Sequence, residues 1–397
     1  MSDETSTATV PGKPAPWNDP KIRAIFFQAI LVFAVVMFGF YLINNTLYNM
    51  EQRGISTGFA FLEKEAGFGV TQSLIEYDET YSYGRTFFVG LLNTILVSVL
   101  GIFFATILGF VMGVARLSPN WLLARIATAY IEIFRNIPLL LQIFFWYFAV
   151  GINLPRPRQS YEAFGETVFL NNRGLFIPRP IAEDGFGLVI LALILAIVAA
   201  FFMVRWARKR QDATGQPFPS FWASLGLIAG LPLLAFVVAG MPLSWENPEL
   251  RGFNFQGGLT VLPELFALTL ALTVYTGTFI AETVRAGILS VSHGQTEAAR
   301  ALGLRETRML QLIIIPQAMR VIIPPLTSQY LNLTKNSSLA AAIGYPDLVA
   351  VFAGTTLNQT GQAVEIIAMT MGVYLTLSLS ISLFMNWYNA KMALRER

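Results

Sequence analysis

Long apolar runs alternate with short polar breaks along this chain. The runs fall near 24–45, 87–114, 127–151, 186–206, 222–242, 262–283, 313–333 and 364–388. About 20 apolar residues cross a bilayer's hydrocarbon core as a helix. The pattern therefore predicts an all-α, polytopic membrane protein with about eight transmembrane helices. The third run is the weakest, because "IEIFRNIP" interrupts it. The opening residues are polar and rich in Thr, Pro and Asp, which predicts a disordered tail over 1–23. The run at 24–45 is too long for a signal-peptide core, and no small-residue cleavage site follows it, so it reads as an extra N-terminal span. A loop at 46–86 then leads into a membrane domain at 87–397. That domain carries an insertion at about 153–260, read as a helical hairpin with polar flanks.

Composition narrows the chemistry. Hydrophobic residues make up 54% and charged residues 13%, against about 25% charged in soluble domains. With no cysteine, disulfides and Cys-ligated metals are ruled out. A single His and no acidic cluster predict no metal site. Net charge is only +3, with no Lys/Arg block suited to nucleic acid. No GxxxxGK[ST] phosphate loop occurs, so any ATP that drives the protein must be held by another chain.

Lys and Arg set the orientation. With the N-terminus inside, the inner segments hold sixteen Lys and Arg and the outer loops nine. Both termini are thus expected in the cytoplasm. The loop at 46–84 fits an outer position, because its Glu51, Glu63, Glu65, Glu76, Asp78 and Glu79 outnumber two basic residues.

One inner segment is unusual. "HGQTEAARALG" reads as a short helix with Thr296 or Gly294 at its start and Gly303 suited to the left-handed residue that ends it. Ala298, Ala301 and Leu302 fall at i, i+3 and i+4 as a narrow apolar stripe, ringed by Glu297, Arg300 and Arg305. A second helix starts near Arg305 and enters the membrane. Pro316 lies in its first membrane turns, where it would bend the helix or break its hydrogen-bond ladder. On composition alone, this could be an ordinary solvated loop.

Its spacing resembles the EAA loop of ABC-importer permeases. Glu297, Ala298, Ala299, Gly303, Ile313, Ile315 and Pro316 fit that pattern in register. The resemblance implies a type I importer core and makes 293–312 a cytoplasmic coupling hairpin. Glu297, Ala298, Ala299, Arg300, Gly303, Leu304 and Pro316 would then meet or shape the contact with an ATPase. "YIEIFRNIPLLLQIFF", "YTGTFIAETVRAGILSVSHGQTEAARALGL" and "TKNSSLAAAIG" resemble permeases for polar amino acids. Chains of this length with such an insertion are similar to the general L-amino-acid branch. The resemblance covers roughly 87–152 and 262–390. It implies inward transport of polar L-amino acids across a bacterial inner membrane. The implied partners are a cytoplasmic ABC ATPase dimer carrying ATP and Mg, a second related permease forming a heterodimer, and a periplasmic amino-acid-binding protein. Three positions depart from the pattern: Asn136-Ile137 replaces Gly-Thr, His293 replaces a Lys, and Arg305 replaces a capping Ser or Thr.

Charges within or beside the spans suggest a pathway. Glu132 and Arg135 share a helix face, and Glu282 and Arg285 repeat that spacing. A mid-helix charge costs roughly 2.5–3.5 kcal/mol to insert, so these residues need partners or water. They could be interfacial ion pairs, or an inner gate that offers both signs to a zwitterion. Gln142, Tyr275, Thr278, Asn332, Lys335, Asn336, Ser337 and Ser338 could add hydrogen bonds. Pro316, Pro324 and Pro325 fit either a fixed kink or a hinge. A competing function is an ATP-independent secondary carrier or channel. That reading predicts repeats bearing ion-binding residues, and the chain shows only the E-x-x-R echo. An enzyme would need a catalytic cluster, and none is visible.

Overall fold

A computed structural model describes residues 20–52, 57–165 and 167–392. Helix α1 (Pro20–Gln52) contains the first span, whose most apolar window has no buried residue. Residues 20–23 are helical, which shortens the expected tail; residues 1–19 lie outside the described part. Then come α2 (Tyr83–Ala115), α3 (Trp121–Arg135) and α4 (Leu139–Phe144), the last continuing as a π-helical turn to Gly151. The insertion holds α5 (Phe186–Thr214) and α6 (Ser220–Val238). The remaining helices are α7 (Pro263–Leu289), α8 (His293–Ala301), α9 (Glu306–Met309), α10 (Ile315–Asn336), α11 (Leu357–Thr360) and α12 (Ala363–Met392). Among the described residues, seven helices are long and apolar enough to cross a membrane, or eight if the bent α3–α4 pair counts as one span. The bend is 104° and falls at the Asn136–Pro138 break.

Glycine lets the central helices approach closely. A Cβ on Gly109 would lie 2.5 Å from the Ile280 side chain, and one on Gly113 would lie 2.6 Å from the Ala281 carbonyl. The GxxxG of α2 therefore packs α2 onto α7 within the chain. A Cβ on Gly287 would lie 2.3 Å from Ile322, which seats α10 against α7. Around these contacts Leu268, Leu272, Ile280, Ile322, Ile323 and Leu333 form the main core. The GxxxG of α6 behaves differently, since Gly226 and Gly230 face open space.

The flanks of the insertion are not only loops. Strands β1 (Tyr161–Ala163), β2 (Val168–Asn171), β3 (Gly174–Ile177) and β4 (Arg179–Ala182) precede α5. Strands β5 (Leu243–Glu246), β6 (Glu249–Arg251), β7 (Asn254–Gln256) and β8 (Leu259–Val261) follow α6. One antiparallel sheet has the order β1-β2-β3-β8, while β4–β5 and β6–β7 form two-stranded pairs. Phe169, Phe176 and Phe255 make its small core. Pairing across the insertion brings the two ends of α5–α6 together, and β8 delivers the chain into α7.

Candidate functional site

Two features lie at the end of the bundle away from the strands. The first is the hairpin of α8 and α9. Helix α8 starts at His293, with Ser292 in the capping place, earlier than Thr296 or Gly294 would put it. Its C-terminus closes as a Schellman motif. The Leu304 N–H donates to the Ala299 carbonyl at 3.1 Å, and the Gly303 N–H to the Arg300 carbonyl at 2.9 Å. Gly303 takes φ +71°, the left-handed conformation that glycine adopts without a Cβ penalty. Across this corner the Arg300 Nε donates to Glu306 at 3.0 Å.

The hairpin has an anchored face and a bare face. Ala299 is 1% exposed and packs with Met309 and Ile314, flanked by Leu304 and Ile288. Ala298, Ala301 and Leu302 point outward, with Leu302 80% exposed. Glu297 is 69% exposed, and its side chain meets the His293 ring at 3.1 Å. Arg305 caps α9 with extended backbone and no side-chain bond. Glu306 supplies the acidic residue that the first turn favours. Before Pro316 the chain forms a π-helical turn, Leu310–Ile314, and α10 then runs unbroken through Pro324 and Pro325. Pro316 has no N–H to offer the carbonyl four residues before it, and the π turn falls where that bond would be made, so the helix continues into the bundle.

The second feature is a charged knot centred on Glu282. Its carboxylate accepts from Arg116 and, at 2.9 Å, from the Arg285 Nε. Arg135 lies 3.9 Å away, and Arg116 reaches Glu132 at 3.4 Å. Three elements meet there: the end of α2, the last turn of α3 and the last turns of α7. The two E-x-x-R pairs predicted from spacing are thus one cluster. Arg116 is the residue the sequence reading missed. It has no charged partner at helical spacing, so only the α2–α7 contact reveals it.

The other candidates divide. Gln142 is buried, and its Nε2 donates to the Phe134 and Ile137 carbonyls at 2.8 and 3.0 Å, clamping the break between α3 and α4. Thr278 and Ser337 are buried with hydroxyls turned back to the Tyr275 and Thr334 carbonyls. Tyr275, Asn336 and Ser338 are half-buried, while Asn332 and Lys335 are exposed. Thr278 lies one helical turn before Glu282 on α7, and Gln142 holds the carbonyl next to Arg135, but the side-chain bonds of Gln142, Thr278 and Ser337 go to backbone carbonyls and not to the charged side chains of the knot. Asp347, not singled out from sequence, is fully buried just before the π-helical segment Val349–Thr356 that leads into α11, and accepts the Ala350 N–H at 2.8 Å. Among the described residues no cluster of three or more His, Asp or Glu could hold a metal.

Comparison with known proteins closes the question of family. Residues 192–394 match the model of the binding-protein-dependent transport system inner membrane component. The chain is 59% identical to the permease protein YhdX of Escherichia coli K12, over 96% of each. It is 54% identical to the general L-amino acid transport system permease protein AapQ of Rhizobium johnstonii, covering 96% of this chain and 94% of that one. It is 43% identical to the glutamate/glutamine/aspartate/asparagine transport system permease protein BztB of Rhodobacter capsulatus, over 96% of each. These alignments run through the insertion and the first span, so both belong to the shared architecture. The chain is a member of the binding-protein-dependent inner membrane component family, the permease subunits of ABC importers.

Proposed function

We propose that this subunit imports polar L-amino acids, driven by ATP hydrolysed on a separate ATPase chain that docks on α8. The bare stripe of Ala298, Ala301 and Leu302 carries this reading. An exposed leucine at the C-cap of a nine-residue helix, held from behind by Ala299, Met309 and Ile314, has the form of a contact surface. ATP and Mg belong on the partner. Its closure would push α8, and the rigid Schellman corner would pass the movement into α10. In this reading the strands face the periplasm and both termini the cytoplasm, which agrees with the Lys/Arg asymmetry. The charged knot then sits at the inner end, where Glu282, Arg116, Arg285 and Arg135 act as a gate. The substrate class follows from the named activities of the relatives. A second, related permease completes the pathway as a heterodimer, and a periplasmic binding protein delivers the amino acid.

Copurification tests the docking. Leu302→Cys should form a disulfide with a cysteine on the ATPase surface, and the yield should change when ATP is added. Absence of any ATPase from the solubilised, active complex would overturn the reading.

A further inference from the structure

We propose that the tip of the α5–α6 hairpin remote from the strands is a binding site for anionic phospholipid, its phosphate held by Arg205, Arg208 and Lys209. The depth of these residues follows from matching the two helices. At one end a Cβ on Gly185 would lie 3.8 Å from the Ala239 side chain. At the other, the rings of Trp206 and Phe218 stand 5.5 Å apart. Between those contacts α6 and the Phe186–Trp206 part of α5 each rise roughly 30 Å, the thickness of a bilayer's hydrocarbon core. Trp206 therefore marks the membrane boundary. Exposed Phe221 and Trp222 open α6 beside it, as aromatic residues do at headgroup level. Residues 207–214 carry α5 about 12 Å further.

One side of α5 has the profile of a lipid. Ala192, Ala196, Ala200 and Ala207 are its buried residues and face α6. At about 3.6 residues per turn, Arg205, Arg208 and Lys209 take the opposite side, and all three are exposed. Exposed Leu191, Ile194, Val198 and Phe201 lead up to them along that side. The Arg205 guanidinium lies over the Phe201 ring at 4.5 Å, which holds it at the head of the apolar stripe. Arg210 stacks on Trp206 at 5.6 Å and reaches Gln216 at 3.3 Å, round the helix from the others. Asp212 follows one turn on, and among the described residues no ion pair joins it to these cations. By contrast, Arg116, Arg135 and Arg285 surround Glu282, and Arg300 meets Glu306. The opposite end of α5 has the other sign, with Glu183 and Asp184 just before it.

The layout favours lipid over a protein partner. Basic residues just beyond a membrane helix attract anionic headgroups. Here they cap a continuous apolar stripe, matching acyl chains that end in one phosphate. The hairpin packs chiefly on itself, so this side of α5 is open to the bilayer. In the orientation proposed above, the leaflet is the cytoplasmic one.

The test uses the whole importer complex in phosphatidylcholine nanodiscs carrying a trace of a diazirine lipid. The probe is phosphatidylglycerol in one sample and phosphatidylcholine with the same acyl chains in the other. Both leaflets carry it, so the result does not depend on orientation. Labelling of peptides covering 194–212 should favour phosphatidylglycerol several-fold. Each cation near an anionic surface is worth roughly a fivefold preference. Arg208→Gln with Lys209→Gln should therefore remove most of the excess, while Arg179→Gln at the strand-bearing end leaves it in place. Copurification of the ATPase checks assembly. Equal labelling by the two lipids would overturn the proposal and leave an ordinary solvated turn. So would a disulfide from Lys209→Cys to the ATPase or the second permease in the active complex, which would assign these cations to a protein partner.

Discussion

The Leu304 N–H donates to the Ala299 carbonyl at 3.1 Å, bridging the corner at Gly303. This bond fixes the angle between α8 and the helix that enters the membrane. Nothing lies within 4 Å of a Cβ placed on Gly303, so any substitution acts through backbone conformation alone. A left-handed non-glycine residue costs roughly 1–2 kcal/mol, and Asn tolerates that conformation best. Gly303→Asn should therefore keep most transport, Gly303→Ala less, and Gly303→Asp almost none, because it adds charge to strain. All three should insert normally. Substrate-stimulated ATPase activity and membrane fractionation, measured together, check the ranking.

Glu297→Lys should abolish transport without loss of stability. The carboxylate is exposed and its partner in the chain is the exposed His293, a pair worth about 0–1 kcal/mol. Failure should appear as loss of the copurifying ATPase. Unchanged ATP-driven uptake would remove Glu297 from the docking surface.

The charged knot predicts unequal mutants. Glu282 is 26% exposed and holds Arg116, Arg285 and Arg135. Glu282→Gln leaves several cations facing one another, and should lower stability by roughly 1–3 kcal/mol, between exposed and buried pairs. Arg135 is 41% exposed and 3.9 Å from the carboxylate. Arg135→Ala should therefore change melting in detergent little while altering substrate-stimulated ATPase activity. Unchanged kinetics would leave Arg135 a peripheral ion-pair residue with no part in gating.

The two GxxxG motifs should separate cleanly. Gly109→Ala meets Ile280 at 2.5 Å and should cost roughly 1–3 kcal/mol of stability by overpacking. Gly230→Ala meets nothing within 4 Å and should be neutral in the isolated chain. Thermal unfolding of the two variants, side by side, decides it.

Much of this site was legible because its determinants are local. Gly303 announces a helix end, Pro316 a disturbed first turn, and Ala298–Ala301–Leu302 a stripe. Each reading needs only neighbours along one helix. Length and apolarity likewise revealed the spans, including the weak one that bends after Arg135. What stayed hidden depends on distant residues. Strands of three or four residues carry no clear alternation, and β3 finds β8 across the whole α5–α6 hairpin. Arg116 joins Glu282 only because Gly109 and Gly113 bring α2 against α7. Gln142 looked like a pathway residue, yet its donors are spent on two carbonyls at a helix break that spacing does not show.

The most direct measurement is uptake of labelled glutamate or glutamine into proteoliposomes containing the importer complex and its binding protein. Uptake should require ATP on the face that carries Leu302, and should vanish with Gly303→Asp while the complex stays assembled. Uptake without ATP, by a preparation free of ATPase, would show that α8 is an ordinary loop and that the chain works as a secondary carrier.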